Sequence, residues 1–264
     1  MITSASNTRI KKVAALNQKA KERRQEGKYV VEGVKMFLEA PDGDIEEVYT
    51  AEGFRNPSCD QKLSRLPVEQ VSEEVFRKMC DTAAPQGILC VMRQKSCTPE
   101  SLLQGKNPLL MLLEDIQDPG NLGTILRTGE GAGVDGVIMS RETADIYNPK
   151  TIRSTMGSIY RVPFAYVPSL ADIISVLHKK EIRVFAAHLK GERWYDQEDY
   201  CKGSAFLIGN EGNGLREETA ALAGTYIKIP MAGKVESLNA AMASGILMYE
   251  AARQRRIMTD GGKR

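Results

Sequence analysis

The chain has 264 residues, 36 Lys and Arg against 34 Asp and Glu for a net charge of +2, and 42% hydrophobic content. That composition fits a globular protein of one large or two modest domains, excludes a disordered class, and leaves polyanion binding to local clustering of charge. Five cysteines without a C-x-x-C pair and two histidines give no zinc pattern or disulfide framework, and no run has membrane-spanning length, so a cytoplasmic protein with neither metal nor membrane partner is expected.

Residues 1–28 carry Arg9, Lys11, Lys12, Lys19, Lys21, Arg23, Arg24 and Lys28 against Glu22 and Glu26. Ile10, Val13, Ala14 and Leu16 fall at helical spacing, so the cations project from one amphipathic helix. Two readings stand open: a solvated helix face, or a stripe that contacts phosphates. Strands follow at Lys28–Gly33, Ile45–Ala51, Val68–Val71 and Gly87–Met92, with helices over Val34–Ala40 and from Ser72 to Cys80. This makes a βα unit of residues 1–92. Residues 93–108, polar and holding Pro99, Gly105 and Pro108, read as a linker.

From residue 109 to 264 strands alternate with helices. The strands are Leu109–Glu114, Val134–Ser140, Phe164–Val167, Ile182–Ala187, Ala205–Ile208 and Tyr226–Ile229. That alternation predicts an α/β domain, a mostly parallel sheet with helices on both faces. The last helix, Ser237–Arg256, is apolar nearly all round at its start, which suits burial against the domain or a partner subunit. Gly131-Ala132-Gly133-Val134-Asp135-Gly136 spells G-x-G-x-x-G, but a helix precedes it and a strand follows, the reverse of the dinucleotide-binding order. These glycines end a helix and turn into a strand.

Ligands of open α/β sheets bind at the carboxyl ends of strands. Two loops qualify: Gly209-Asn210-Glu211-Gly212-Asn213-Gly214, and the segment from Ile229-Pro230-Met231 to Ser237-Leu238-Asn239. Their wealth of accessible main chain favours a neutral or cationic small ligand over a nucleoside triphosphate. The bland alternative for residues 209–214 is a plain strand-to-helix turn.

Together with Asp118-Pro119-Gly120-Asn121-Leu122-Gly123-Thr124-Ile125-Leu126-Arg127-Thr128, these loops closely resemble the three motifs of the SpoU (TrmH) family of RNA ribose 2′-O-methyltransferases, in the SPOUT superfamily. The resemblance covers residues 109–256. More loosely, residues 1–92 resemble an L30e-like RNA substrate-binding domain through Asn7, the basic helix, Val31-Glu32-Gly33 and Pro85-Gln86-Gly87. It implies a knotted α/β fold, S-adenosylmethionine as cofactor, an RNA substrate (ribosomal rather than transfer RNA, by analogy) and a homodimer that shares its active site across the interface. A protein that kept the fold and RNA binding but lost the chemistry is the alternative.

The same resemblance implies roles for residues. Main chain at Gly209, Ile229 and Leu238 would hold the cofactor, while Asn121, Arg127, Glu211, Ser237 and Asn239 would be catalytic. Arg127 would activate or position the ribose hydroxyl; a guanidinium holds its proton tightly, so positioning is favoured. Its bland alternative is an ion pair with Glu130. Glu211 would order the site through backbone or Arg127. Arg153 is either a phosphate contact or a helix-surface charge. Trp194 and Tyr195 stack on bases or simply pack. His188 is set aside as a surface or capping residue.

Overall fold

The computed structural model describes residues 1–95 and 97–261; Ser96 of the stretch 93–108 and residues 262–264 of the stretch 109–264 lie outside the described residues. Two compact units form, one of residues 1–95 with 145–160, the other of 96–144 with 161–264. Residues 145–160, which the sequence assigns to the long second domain, thus join the first unit.

In that first unit α1 (Thr8–Gln18) and α2 (Ala20–Glu26) precede β1 (Lys28–Glu32), α3 (Val34–Glu39) and β2 (Ile45–Ala51). Then come α4 (Pro57–Leu63), β3 (Val68–Val71), α5 (Glu73–Met79) and β4 (Ile88–Arg93). The sheet order is β1-β4-β2-β3, with β4 antiparallel to both neighbours and β3 parallel to β2. Ile10, Val13 and Leu16 of α1 bury against Tyr49, Phe76 and Met79 in one core.

The single basic helix of the sequence reading is two helices, broken where Lys19 turns extended (φ −127°, ψ 116°). Its cations are also not all available to a phosphate. Arg23 is 3% exposed, pairs with Asp145 at 2.7 Å and donates to the Leu16 carbonyl at 2.7 Å. Arg9 bridges Glu47 and Glu69, and Lys28 pairs with Glu46. Lys11, Lys12, Lys19, Lys21 and Arg24 remain exposed. Arg153 of α8 (Pro149–Thr155) pairs with Asp81 at 2.5 Å, favouring its reading as a helix-surface charge.

The second unit opens with α6 (Pro99–Leu102). Residues 93–108 are therefore more than a linker: Leu102 and Leu103 are buried in the second core. Parallel strands follow: β5 (Leu109–Leu113), β6 (Gly136–Ser140), β7 (Phe164–Val167), β8 (Arg183–Ala187), β9 (Arg193–Trp194), β10 (Ser204–Ile208) and β11 (Gly224–Lys228). Their order is β7-β6-β5-β10-β8-β11-β9, and every pairing in this sheet is parallel. All residues of β5, β6 and β10 are buried, as a sheet covered on both faces requires.

Helix α7 (Pro119–Ala132) follows β5, α9 (Leu170–Lys179) follows β7, α10 (Glu217–Ala221) follows β10, and α11 (Ala240–Gly261) closes the unit. Asp118 caps α7 by accepting from the Asn121 amide at 2.8 Å, and Pro119 supplies its first turn. Gly133, at φ 77°, ends it; the Val134 amide reaches back to the Gly129 carbonyl at 2.8 Å. The G-x-G-x-x-G string is thus a helix stop, and β6 starts at Gly136 rather than Val134. Helix α11 starts at Ala240, not Ser237, because the Asn239 side chain accepts from the Ala241 amide at 2.9 Å and caps it. No helix among the described residues is long and apolar enough to cross a membrane.

The burial of Arg23 gives a direct expectation. Arg23→Ala takes the partner from one oxygen of the Asp145 carboxylate and from the Leu16 and Asn17 carbonyls, so it should cost about 1–3 kcal/mol, whereas exposed Lys11→Ala should change stability by under about 0.5 kcal/mol. Urea unfolding of both variants measures this; equal stabilities would contradict the buried ion pair.

Candidate functional site

The chain crosses from β5 to β6 in one direction along the sheet and from β10 towards β11 in the other, although β5 and β10 are neighbours. Their carboxyl ends form a topological switch point, where opposed crossovers open a crevice. Into it run the start of α7, the 209–214 loop and the cap of α11.

Hydrogen bonds join these three segments. Glu211 accepts from the Gln117 amide at 3.0 Å, the Asp118 amide at 3.1 Å and the Asn121 side chain at 2.9 Å. The Asn121 carbonyl oxygen in turn accepts from the Asn239 side-chain amide at 2.9 Å. Each amide is oriented by its two neighbours: Asn239 uses its oxygen on α11, its nitrogen on Asn121, and Asn121 donates onward to Glu211. Partial burial alone pushes the Glu211 carboxyl up, but the donors from Gln117, Asn121 and Asp118 outweigh it and hold it below the usual carboxylate range. Glu211 is therefore an anion throughout the neutral range, a fixed acceptor.

The loop itself is tightly built. Asn210 exchanges backbone bonds with Gly214 at 3.0 and 2.9 Å, and its side-chain oxygen accepts from the Gly212 and Asn213 amides. Asn210 also donates to the Asp115 carbonyl at 2.8 Å. A Cβ on Gly209 would lie 2.2 Å from the Gly214 carbonyl carbon. Gly209 is thus glycine because the loop folds back on it. Beneath the loop, buried Glu114 accepts from the Arg216 amide at 2.8 Å and the Thr219 hydroxyl at 2.5 Å, while Arg216 also pairs with Asp115.

Beside this network the carboxyl ends of β8, β10 and β11 enclose a cavity of about 750 Å³. Gly209, Glu211, Ile229, Ser237 and Leu238 all line it. So do residues the motif reading set aside or omitted: His188, Lys190, Trp194, Lys228 and Glu236. Lys190, Lys228 and Glu236 add charges to the wall beyond that of Glu211 in residues 209–214. Trp194 reaches it from β9, a two-residue edge strand paired with β11, and Lys228 Nζ lies 4.5 Å from its ring centroid. His188 was visible as the residue after a strand's carboxyl end; Trp194 had no such signal, since β9 is too short to announce itself.

Arg127 does not join this group. Six residues beyond Asn121, it lies about 9 Å further along α7 and roughly 240° around it, exposed and outside the cavity lining. Glu211 is ordered by backbone and Asn121, not by Arg127. Nor does Arg127 pair with Glu130, which Arg161 engages instead at 3.1 Å. Thr124, Arg127 and Gly131 share one exposed face of α7. Tyr249 of α11 closes beside it, its hydroxyl 3.0 Å from where a Gly131 Cβ would stand. On α11, Met242 and Tyr249, seven residues apart on one helix face, are 61% and 55% exposed.

Residues 108–249 match the model of the SpoU rRNA methylase family, and residues 7–90 match the MRM3-like substrate binding domain. Among relatives, the chain is 32% identical to the 23S rRNA (guanosine(2553)-2′-O)-methyltransferase RlmP of Bacillus subtilis over 94% of this chain and 97% of that protein. Among solved structures, it is similar to an AdoMet-bound rRNA methyltransferase from Sinorhizobium meliloti, with TM-score 0.86 and 31% identity over 96% of this chain and 97% of that one. It is also similar to the SpoU methyltransferase AviRb from Streptomyces viridochromogenes in complex with AdoMet, with TM-score 0.86 and 26% identity over 95% and 98%.

Trp194 is the chain's single tryptophan, so its emission reports on the cavity. Titration with S-adenosylmethionine should give a saturable change in that emission. Ala243 lines the cavity from α11, and Ala243→Phe should fill it and weaken binding at least about tenfold, or 1.4 kcal/mol. This is a cleaner test than Gly209→Val, which would break the loop itself. Unaltered affinity in a folded Ala243→Phe variant would move the ligand elsewhere.

Proposed function

The chain belongs to the SpoU rRNA methylase family, and on that premise we propose that it methylates a ribose 2′-hydroxyl of ribosomal RNA from S-adenosylmethionine, as a homodimer in a reducing cytoplasm. The observation that carries this reading is the convergence of all three motifs, through Asn239, Asn121 and Glu211, at the lip of one cavity.

The cavity suits the cofactor. Its volume lies within the range of sites for ligands of that size. Its wall combines apolar Ile208, Ile229, Met231 and Leu238 with main chain, the acid Glu236 and the base Lys190, a lining for a molecule that is part flat heterocycle and part zwitterion. Main chain at Gly209, Ile229 and Leu238 would hold the heterocycle. When bound, S-adenosylmethionine supplies a methyl group already activated on a sulfonium. The chain's own task is then alignment of the ribose hydroxyl. We assign Asn121, locked at both ends of its amide, to that positioning, with Ser237 on the cavity wall completing the pocket, and Glu211 and Asn239 as the groups that orient Asn121.

The homodimer rests on Arg127 and its surroundings. Its guanidinium has no hydrogen-bond or ion-pair partner among the described residues, and the helix packed against α7, α11, exposes Met242 and Tyr249. A two-fold contact through α7 and α11 would bury those side chains and bring each Arg127 towards the partner's cavity, where a planar fork could grip phosphate or hydroxyl. A knotted path for residues 229–239, tucked under an earlier loop, is part of the same proposal. It is supported by the way Asn239 docks onto Asn121, 118 residues earlier in the chain. Free thiols at all five cysteines fit the reducing compartment.

Methyl transfer from S-adenosylmethionine to unmodified 23S rRNA, with unmodified tRNA in parallel, tests the chemistry: an alkali-resistant dinucleotide from the rRNA is the expected product. Methyl on a base, on tRNA alone, or on neither would contradict the proposal. Mixing Arg127→Ala with Ala243→Phe tests the shared site, since both homodimers should be inactive. A mixed dimer regains one site made of an intact cavity and the partner's Arg127, so random mixing should restore about a quarter of normal turnover. Mixtures that stay inactive would place Arg127 in its own subunit's site.

A further inference from the structure

The turn after β6 is held rigidly against the start of the site. Ser140 Oγ donates to Asp115 Oδ1 at 2.7 Å and accepts from the Asp115 amide at 2.8 Å, and the Thr143 hydroxyl donates to the Leu113 carbonyl at 3.3 Å. Gln117 donates its side-chain amide to the Glu142 carbonyl at 2.6 Å, and the Ala144 amide donates to the Ile116 carbonyl at 2.8 Å. Gln117 is the same residue whose main-chain amide binds Glu211. The turn is thus one bonded step from the Glu211–Asn121 network.

Arg141 is carried on that turn. Its side chain is exposed and takes no part in the bonds that hold the turn, and it has no hydrogen-bond or ion-pair partner among the described residues. Three other cations at this end of the sheet are engaged: Arg216 with Asp115, Lys190 with Glu217 at 2.7 Å, and Lys228 over the Trp194 ring. A rigid backbone under a free guanidinium is the arrangement that fixes a phosphate with little ordering of the protein. We propose that Arg141 is a positioning residue for the RNA, gripping a backbone phosphate beside the reacting nucleotide on the rim of its own subunit's site. This rests on the reading of the chain as an RNA methyltransferase.

The test is binding of an unmodified 23S rRNA transcript by the full chain across a range of salt concentrations, with S-adenosylmethionine affinity followed by Trp194 emission and with kcat and KM measured for the RNA. Arg141→Ala should weaken RNA binding about tenfold and lower the slope of log K against log salt by about 0.7–0.9, one phosphate contact's worth. KM should rise more than kcat falls, cofactor affinity should hold, and Arg141→Lys should restore most of the salt slope. An unchanged slope in Arg141→Ala overturns the proposal, as does a loss of cofactor affinity with the slope intact, which would make the residue structural. Wild-type protein that binds cofactor but no RNA overturns the methyltransferase reading, and the proposal with it.

Discussion

The site depends on a single side chain held from both ends. Asn121 gives its nitrogen to Glu211 and its oxygen to Asn239, so the start of α7, the loop after β10 and the cap of α11 cannot move independently. None of these bonds is strong alone; a net contribution of about 1 kcal/mol each is typical, somewhat more where the carboxylate is a partner. Their value is geometric. Segments separated by about 90 and 118 residues in sequence meet at defined distances, and a group that must align a hydroxyl gains rate from that fixity more than from affinity.

The parallel sheet makes such a meeting possible. Strands that all point one way deliver every βα connection to one edge, and the switch between β5 and β10 separates two of those connections enough to admit a ligand. The price of the crowded edge is paid in backbone. Gly209 has no room for a Cβ, Asp115 sits at φ 55° in the left-handed region, and Glu114 is buried under the loop with its oxygens satisfied by Arg216 and Thr219. These residues build the floor on which Glu211 stands.

Most strands of both units were legible as short runs rich in apolar residues; β7 matches residue for residue, as does β3 despite its two central polar residues. The motif residues Asn121, Glu211 and Asn239 were legible as a pattern, though only the fold brings them together. Long-range pairing was not legible. Arg23 looks in sequence like its neighbours Lys21 and Arg24, and nothing local marks it for burial against Asp145. Leu102 and Leu103 sit in a polar stretch rich in Pro and Gly, so their place in the core is set by partners far along the chain. Trp194 and Lys228 meet through a strand of two residues, below the length at which periodicity carries any signal. Arg127 is the converse case: it lies in the strongest motif, yet helical geometry turns it away from Asn121.

We propose that the Glu211 carboxylate, through Asn121, sets the geometry of methyl transfer. Glu211→Gln keeps size and shape but replaces one accepting oxygen with a donor, so it cannot serve the Gln117 and Asp118 amides and the Asn121 side chain together. Single-turnover methyl transfer to 23S rRNA by this variant is the most direct measurement. The expected result is a loss of at least about 100-fold, or roughly 2.7 kcal/mol, with the unfolding midpoint little changed. A Glu211→Gln protein that transfers methyl at the normal rate would contradict it.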